Sequence, residues 1–316
     1  MSQQSTGIWR KGRSRHRLNE PIMRSDSVDH SAPVEHLRVH MAALSKLNVR
    51  PSLPRYLHQI WERRYFIVTD ARFRAFRTVK SYRLWRFWLV AQPLLDAAMY
   101  GLIFGLLLKT SRGIDNFLGF LVLGVTFFSL LTSLVNGGQS LLQTSKNLMQ
   151  AFAFPRASLV LSQSLRYMID SSPALIIGVV FALVAQYREP LSWKVLLVVP
   201  LTLLMWLMGT GLMFIVARLT AFIPEVKVLI NLAIRGWFFA SGIFFSIERF
   251  AENGVTARVL SANPGYIFLR SVRECVIYDT VPSLTTWLQL IVWSVALFGV
   301  GLVFFWLAEE RYVRVQ

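Results

Sequence analysis

Residues Asn116–Ser145, NFLGFLVLGVTFFSLLTSLVNGGQSLLQTS, contain no Asp, Glu, Lys, Arg or His. A helix crosses the hydrocarbon core of a bilayer with about 20 apolar residues, and this run is 30 residues long. Two further charge-free runs, Val195–Ala217 and Thr280–Ala308, hold 23 and 29 residues. In lipid every backbone N–H and C=O of a spanning segment needs a partner, which for such runs means α-helix. The sequence therefore reads as an all-α integral membrane protein, and its function concerns what passes through or along the bilayer.

The rest of the composition narrows this further. The chain has 316 residues, 54% of them hydrophobic, and a mean hydropathy of +0.46, which leaves room for one membrane domain and little else. Residues 1–86 hold 18 Lys/Arg against 6 Asp/Glu, so they carry +12 of the total +17. Basic segments resist translocation, which predicts a cytoplasmic N-terminus. High basicity also raises the question of nucleic-acid binding. Here, however, the charge abuts a membrane segment, where anionic lipid headgroups are the simpler partner, and no nucleic-acid role is expected. The one cysteine, Cys275, allows neither an intrachain disulfide nor a Cys-based metal site. The first 30 residues are polar and lack the apolar core of a signal peptide.

Residues 1–54, rich in Ser, Arg, His and Pro without sustained periodicity, read as a disordered basic cytoplasmic extension. Residues 55–86 follow, with Tyr56–Val79 as a basic amphipathic helix at the headgroup boundary: Leu57, Ile60, Trp61, Phe66, Ile67, Phe73 and Phe76 recur at helical spacing between arginines. Residues 87–308 form the transmembrane domain. Six spans are predicted at about 87–108, 117–142, 158–186, 195–217, 226–247 and 284–307, with residues 309–316 as a cytoplasmic tail. Two connections are unusual. The inner one, Gln143–Ala157, turns from polar to apolar-aromatic and stops at Pro155–Arg156. The outer one, Glu248–Ser283, is long enough to carry structure of its own, and Asn263-Pro264-Gly265 is expected to divide it into two short helices that can be re-entrant.

Enzyme chemistry is hard to find. The membrane half holds no histidine and no clustered acidic pair within a span, and no G-x-x-x-x-G-K-[ST] phosphate cradle occurs. The ionisable residues in or near spans are Asp96, Arg166, Asp170 and Arg235. Arg166 and Asp170 stand four apart, the spacing of a pair on one helix face. Asp96 and Arg235 are open between a cross-helix pair, a contact with a second subunit and a polar path. Aromatic residues crowd the second and fifth spans. Phe127, Phe128, Trp237 and Phe238 read either as helix packing or as flat rings lining a conduit on which sugars slide.

Four stretches, in order, resemble the permease subunits of ATP-binding-cassette exporters for polysaccharides, a family that includes O-antigen, teichoic-acid, capsule and mycobacterial-type galactan exporters. They are Asp70-Ala71-Arg72-Phe73-Arg74 with Leu84, Trp88 and Pro93 at the entry to the first span; Asn147-Leu148-Met149-Gln150-Ala151-Phe152-Ala153-Phe154-Pro155-Arg156; Ser241-Gly242-Ile243-Phe244-Phe245; and Asn263-Pro264-Gly265-Tyr266 leading to Arg270 and Arg273. The second is like the family's Asn-Leu-Ile-x-Lys-x-x-Phe-Pro-Arg, with Ala151 in the place of the lysine. The third lacks the family's proline.

The resemblance implies a type-2 ABC exporter fold and a homodimer of six-span subunits on two separate ATPase subunits. No cofactor is held by this chain; ATP and Mg belong to the partner ATPase. It implies interface-helix residues Asp70, Arg72 and Arg74. It implies a coupling helix gripping the ATPase through Asn147, Leu148, Met149, Phe152, Phe154, Pro155 and Arg156. A second inner turn lies at Pro224 and Glu225, and an external gate includes Asn263, Pro264, Tyr266, Arg270 and Arg273. The substrate it implies is a lipid-linked polysaccharide on a polyprenyl diphosphate, such as a cell-wall galactan or O-antigen, exported across the inner membrane. An exporter of drugs or free lipids with the same fold, and a membrane-embedded transferase, are the alternatives.

Overall fold

The computed structural model describes residues 51–75, 85–100, 102–103, 116–152, 154–186, 192–244 and 262–314. The expected N-terminal extension, except 51–54, lies outside them, as do Arg77, Lys80 and Arg83 of the basic segment and the first part of the long outer connection.

Helices α1 (Leu53–Glu62) and α2 (Arg64–Arg74) replace the single amphipathic helix expected over Tyr56–Val79. The break falls at Arg63, whose φ of −87° and ψ of 9° leave the helical basin. It lets two faces dock separately: Tyr56 on α1, and Ile67 and Ala71 on α2, are buried. Trp61, Tyr65 and Phe73 stay exposed at 66%, 72% and 82%, and Arg64 lies over both Trp61 and Tyr65. Aromatic rings beside arginines suit a membrane–water boundary.

Helix α3 (Trp85–Tyr100) begins the first predicted span. Next come α4 (Phe117–Gly138), the short α5 (Leu141–Thr144) and α6 (Lys146–Ala151), then the long α7 (Ala157–Ala185). A 3-10 turn, Trp193–Leu197, runs into α8 (Val198–Phe222). Helix α9 (Val226–Ala240), α10 (Pro264–Val276) and α11 (Leu284–Trp306) complete the order, closed by a 3-10 segment Glu309–Arg314. Among the described residues, four stretches, Phe117–Gly138, Ala157–Ala185, Trp193–Phe222 and Leu284–Trp306, are long and apolar enough to cross a membrane. The chain is a multi-pass, all-α membrane protein.

Three predicted boundaries are corrected. The second span ends at Gly138 rather than near Leu142, because Ser140 takes a left-handed φ of 62° and starts a new turn. The fourth runs on to Phe222, carrying Arg218; its guanidinium donates to the Phe304 carbonyl and lies 3.9 Å from the Phe304 ring centroid. The fifth stops at Ala240 after 15 residues instead of reaching Ile247. There Gly242, at φ 63°, turns the chain, and Ser241 Oγ donates to the Trp237 carbonyl.

Helix α4 is the central post, with seventeen of its residues buried against α7, α8 and α10. Helices α8 and α11 cross most closely: a Cβ on Gly211 would lie 2.4 Å from the Leu297 carbonyl carbon, and one on Gly301 would lie 2.2 Å from the Gly211 oxygen. Small residues at a crossing let two backbones touch where lipid offers no hydrophobic drive to associate. Helix α9 differs from all of these in having no fully buried residue.

Candidate functional site

One end of the bundle collects the basic helices, the turn after α6 and the C-terminal segment. Glu309, 3% exposed, joins them. Its carboxylate accepts from Tyr56 Oη at 2.7 Å and from the Arg156 backbone N–H at 2.8 Å, with the Arg156 guanidinium at 3.3 Å. Tyr56 Oη in turn accepts from the Ala157 N–H at 3.1 Å. Burial raises the Glu309 carboxyl above the usual glutamate value, against the pull of its donors, and also raises the Tyr56 and Tyr312 hydroxyls. Asp70 extends the docking: it pairs with Arg74 at 2.8 Å and accepts from Ser162 on α7. Of the three interface residues read from the sequence, Asp70 and Arg74 thus tie α2 to itself and to α7, and Arg72 is exposed.

This end presents the residues expected to grip an ATPase, but not all of them outward. Met149 and Pro155 are buried, and Leu148 and Phe154 pack onto the same inner cluster. The Phe154 ring centroid lies 5.8 Å from that of Phe66 on α2. Phe152, 64% exposed, and Asn147 face away from the protein, because the chain leaves α6 in extended conformation at Phe152. Pro224 and Glu225 are exposed between α8 and α9 at the same end, where Phe222 stacks on Tyr312.

Of the aromatic candidates, Phe127 and Phe128 belong to the interior, and Trp237 and Phe238 are half-buried. Phe127 and Phe128 are 0% and 1% exposed. Phe128 meets Trp237 and Phe238 edge-on at 5.3 and 5.4 Å, so these rings hold α9 to α4 within one subunit. In this conformation Phe127 and Phe128 are packing rings, and they line no open path.

At the opposite end α10 is fastened at both termini. Asn263 caps it through Gly265 N–H at 2.9 Å, accepts from Trp237 Nε1 at 2.7 Å and donates to the Ala240 carbonyl at 3.1 Å. Gly265 is needed because a Cβ there would strike Ser241 Oγ at 2.7 Å. Arg273, 2% exposed, donates to the Phe120, Gly242 and Ile243 carbonyls at 2.9–3.3 Å and lies 3.4 Å from the Phe120 ring centroid. Pro264 begins the helix, Tyr266 is buried, and Arg270 bonds Glu274 at 2.9 Å. Sequence reasoning grouped these residues; it did not show that Arg273 clasps three carbonyls, because the carbonyls come from two other segments. Nearby, Lys194 pairs with Asp279 at 2.9 Å and holds its carboxyl below the usual value.

Arg166 and Asp170 pair at 3.2 Å on α7, as their spacing predicted. Asp96 and Arg235 are both exposed, and among the described residues no bond joins them. A polar strip that sequence reasoning passed over runs between α4 and α9: Gln139 Nε2 donates to Asn136 Oδ1 at 2.9 Å and to Asn231 Oδ1 at 3.0 Å. Lys227 Nζ donates to Gln143 at 3.2 Å.

A match to the family described as ABC-2 type transporter covers residues 63–277, from the start of α2 to the end of α10. The O-antigen export system permease protein RfbA of Myxococcus xanthus is 20% identical over 196 residues, which cover 61% of this chain and 72% of that one. The match takes in the helices from α2 to α10, more than half of this helical membrane domain, and the chain belongs to the ABC-2 type transporter family.

Proposed function

We propose that the chain is the permease subunit of an ABC exporter that carries a lipid-linked polysaccharide out of the cytoplasm across the inner membrane. It works as a homodimer of six-span subunits on two ATPase subunits, which bind the ATP and Mg. The glycan rides on a polyprenyl diphosphate, and a cell-wall galactan or O-antigen is the class that fits the resemblance and the similarity to an O-antigen export permease. The basic end faces the cytoplasm, since clustered arginines on α1 and α2 favour that side.

The observation that carries this reading is the exposed Phe152 at the end of the short helix α6, in the connection from α4 to α7. An aromatic side chain held out at the basic end is an anchor for a partner's pocket, and burying such a ring is what makes an interface hot spot. Leu148, Met149 and Phe154 support that turn from beneath.

The test is co-purification with an ATPase subunit and substrate-stimulated ATP hydrolysis. Phe152→Asp is expected to release the ATPase while the permease keeps its melting temperature. Phe154→Asp is expected to lower that temperature, because it places a charge against Phe66 and the inner cluster. Lipid-linked glycan should stimulate hydrolysis where small amphiphiles do not. An ATPase that remains bound to the Phe152→Asp variant refutes the coupling role, and equal stimulation by amphiphiles favours an exporter of drugs or free lipids.

A further inference from the structure

Helix α9 carries Lys227, Asn231 and Arg235 at successive four-residue steps, so they ascend one flank of the helix. The rise from Lys227 to Arg235 is about 12 Å at 1.5 Å per residue. Opposite them α4 and the turn after it supply Asn136, Gln139 and Gln143. The hydrogen bonds have a direction. Gln139 donates both of its amide hydrogens, to Asn136 Oδ1 and Asn231 Oδ1, which leaves the NH2 groups of Asn136 and Asn231 as donors. Both residues are exposed.

Arg235 stands at the top of this strip. Its side chain is exposed, and no hydrogen bond or carboxylate reaches it among the described residues. Open space adjoins it, since a Cβ on the next residue, Gly236, would meet nothing within 4 Å. The remaining exposed surface of α9 is Val228, Leu229, Leu232, Ala233, Gly236 and Phe239, a surface made for lipid or another helix. An unneutralised guanidinium more than two turns along an apolar helix is costly in hydrocarbon and is placed there to meet water or an anion. Lys227, Asn136, Asn231 and Arg235 together bring two cations and two amide NH2 donors to one flank, and no carboxylate joins the hydrogen bonds that build the strip.

We propose that this strip is an anion ladder that receives the phosphate groups of the exported lipid, from Lys227 at the cytoplasmic end to Arg235 further along α9. The inference rests on the exporter reading and adds to it the place where the charged part of the substrate is held. The oxygens of a diphosphate match the fork of a guanidinium and the paired amide donors. Helix α9 has no fully buried residue, so the strip lies at the surface of the subunit, where a ligand can reach it.

The experiment uses the full chain in phosphatidylcholine nanodiscs, with binding read by native mass spectrometry. The probes are a polyprenyl diphosphate, the corresponding polyprenyl alcohol and phosphatidylglycerol. The wild-type chain should bind the diphosphate and not the alcohol. Arg235→Gln should weaken diphosphate binding about tenfold, the size of losing a charge-assisted pair of hydrogen bonds, while Arg235→Lys retains part of it. Asn231→Ala should weaken it severalfold, and Arg55→Gln, at an exposed arginine on α1, should leave it unchanged. Diphosphate binding by Arg235→Gln within twofold of wild type overturns the ladder and leaves the exporter reading standing. Equal binding of phosphatidylglycerol shows a general anionic-lipid contact and overturns the assignment to substrate. A change in the number of subunits per particle in Arg235→Gln shows that the guanidinium meets a second copy and overturns it too. If the wild-type chain binds no polyprenyl diphosphate, the ladder and the polyprenyl substrate fall together.

Discussion

Replacing Glu309 by Ala removes the one carboxylate that joins α1, the turn before α7 and the C-terminal segment. The consequences can be counted from its partners. The Arg156 backbone N–H and the Tyr56 hydroxyl each lose an acceptor in a site where water does not replace it. A buried donor left unsatisfied costs about 1–3 kcal/mol. The Arg156 guanidinium is 19% exposed and loses its counter-charge, so its share is smaller than the 3–5 kcal/mol typical when a fully buried pair is broken. Together these give a loss of about 3–5 kcal/mol. For a chain of this length each kcal/mol moves the melting temperature by roughly 2 °C, so Glu309→Ala should melt about 6–10 °C lower in detergent.

Glu309→Gln separates the charge from the hydrogen bonds, and pH reads the difference. Because burial raises the folded carboxyl above its unfolded value, its contribution to stability is complete below the ordinary glutamate range. That contribution is lost as pH rises through the elevated folded value. The wild-type melting temperature should therefore fall across that window, and Glu309→Gln should flatten the fall. Tyr56→Phe should lose less than Glu309→Ala, since it leaves the Arg156 contacts in place, although it removes the donor to Glu309 and the acceptor of the Ala157 N–H. A Glu309→Ala protein that melts within 1 °C of wild type, or a Glu309→Gln protein with the wild-type pH slope, would refute the clamp; the 1 °C margin is about 0.5 kcal/mol by the same conversion.

The crossing of α8 and α11 gives a sharp contrast between two glycines: Gly211→Ala must push the helices apart at the Leu297 carbonyl, whereas Gly299→Ala meets nothing within 4 Å. Overpacking of this kind costs about 1–3 kcal/mol, so melting should drop several degrees for the first and not for the second. At the opposite end, the Asp279 carboxyl is held down by its hydrogen bond from Lys194. Its contribution is present above the ordinary aspartate value and lost as pH falls through the lowered folded value, so limited proteolysis after α10 should speed up in acid, and Lys194→Met should weaken that dependence, leaving the part due to Ser192.

Why the sequence told some of this and hid the rest follows from how each feature is encoded. A span is a local property: thirty residues without charge admit one structure in lipid, and Phe117–Gly138 is that helix. The fifth span was read too long because its hydropathy continues past Ala240, while its end is set by contacts. Asn263, more than twenty residues on, takes the Ala240 carbonyl, and Gly242 supplies the left-handed turn. The exposure of Phe152 beside the burial of Met149 is likewise set by the chain leaving the helix at one residue, whereas the family resemblance places both on one gripping surface. Glu309 drew no notice as a tail residue, since its partners Tyr56 and Arg156 lie 253 and 153 positions away. The Gln139–Asn231 bond was hidden for the same reason: each amide looked like an isolated polar residue in an apolar run.

These fastenings decide which part of the subunit can move. The exposed turn at Phe152 is bound through Arg156 to Glu309, so a push there acts on α7 and the C-terminal segment together. Helix α10 is bound to α4 through Arg273 and to the end of α9 through Asn263, which holds α9 at its far end. Near the basic end α9 is joined to α4 and the turn after it by Gln139–Asn231 and Gln143–Lys227, and it buries no residue fully. Polar bonds of that kind, beside water, exchange more readily than packed cores, so α9 is the element expected to hinge, held firmly at Asn263 and by exchangeable bonds below. Locking it should stop transport without unfolding anything. With Gln139→Cys and Asn231→Cys joined by a short bifunctional thiol reagent, export should cease and return on reduction of a cleavable linker, while ATPase binding at Phe152 persists. The native Cys275 is buried and does not compete for the reagent. Undiminished export by the cross-linked protein would show that α4 and α9 move as one body, and the hinge would then have to be sought elsewhere in the bundle.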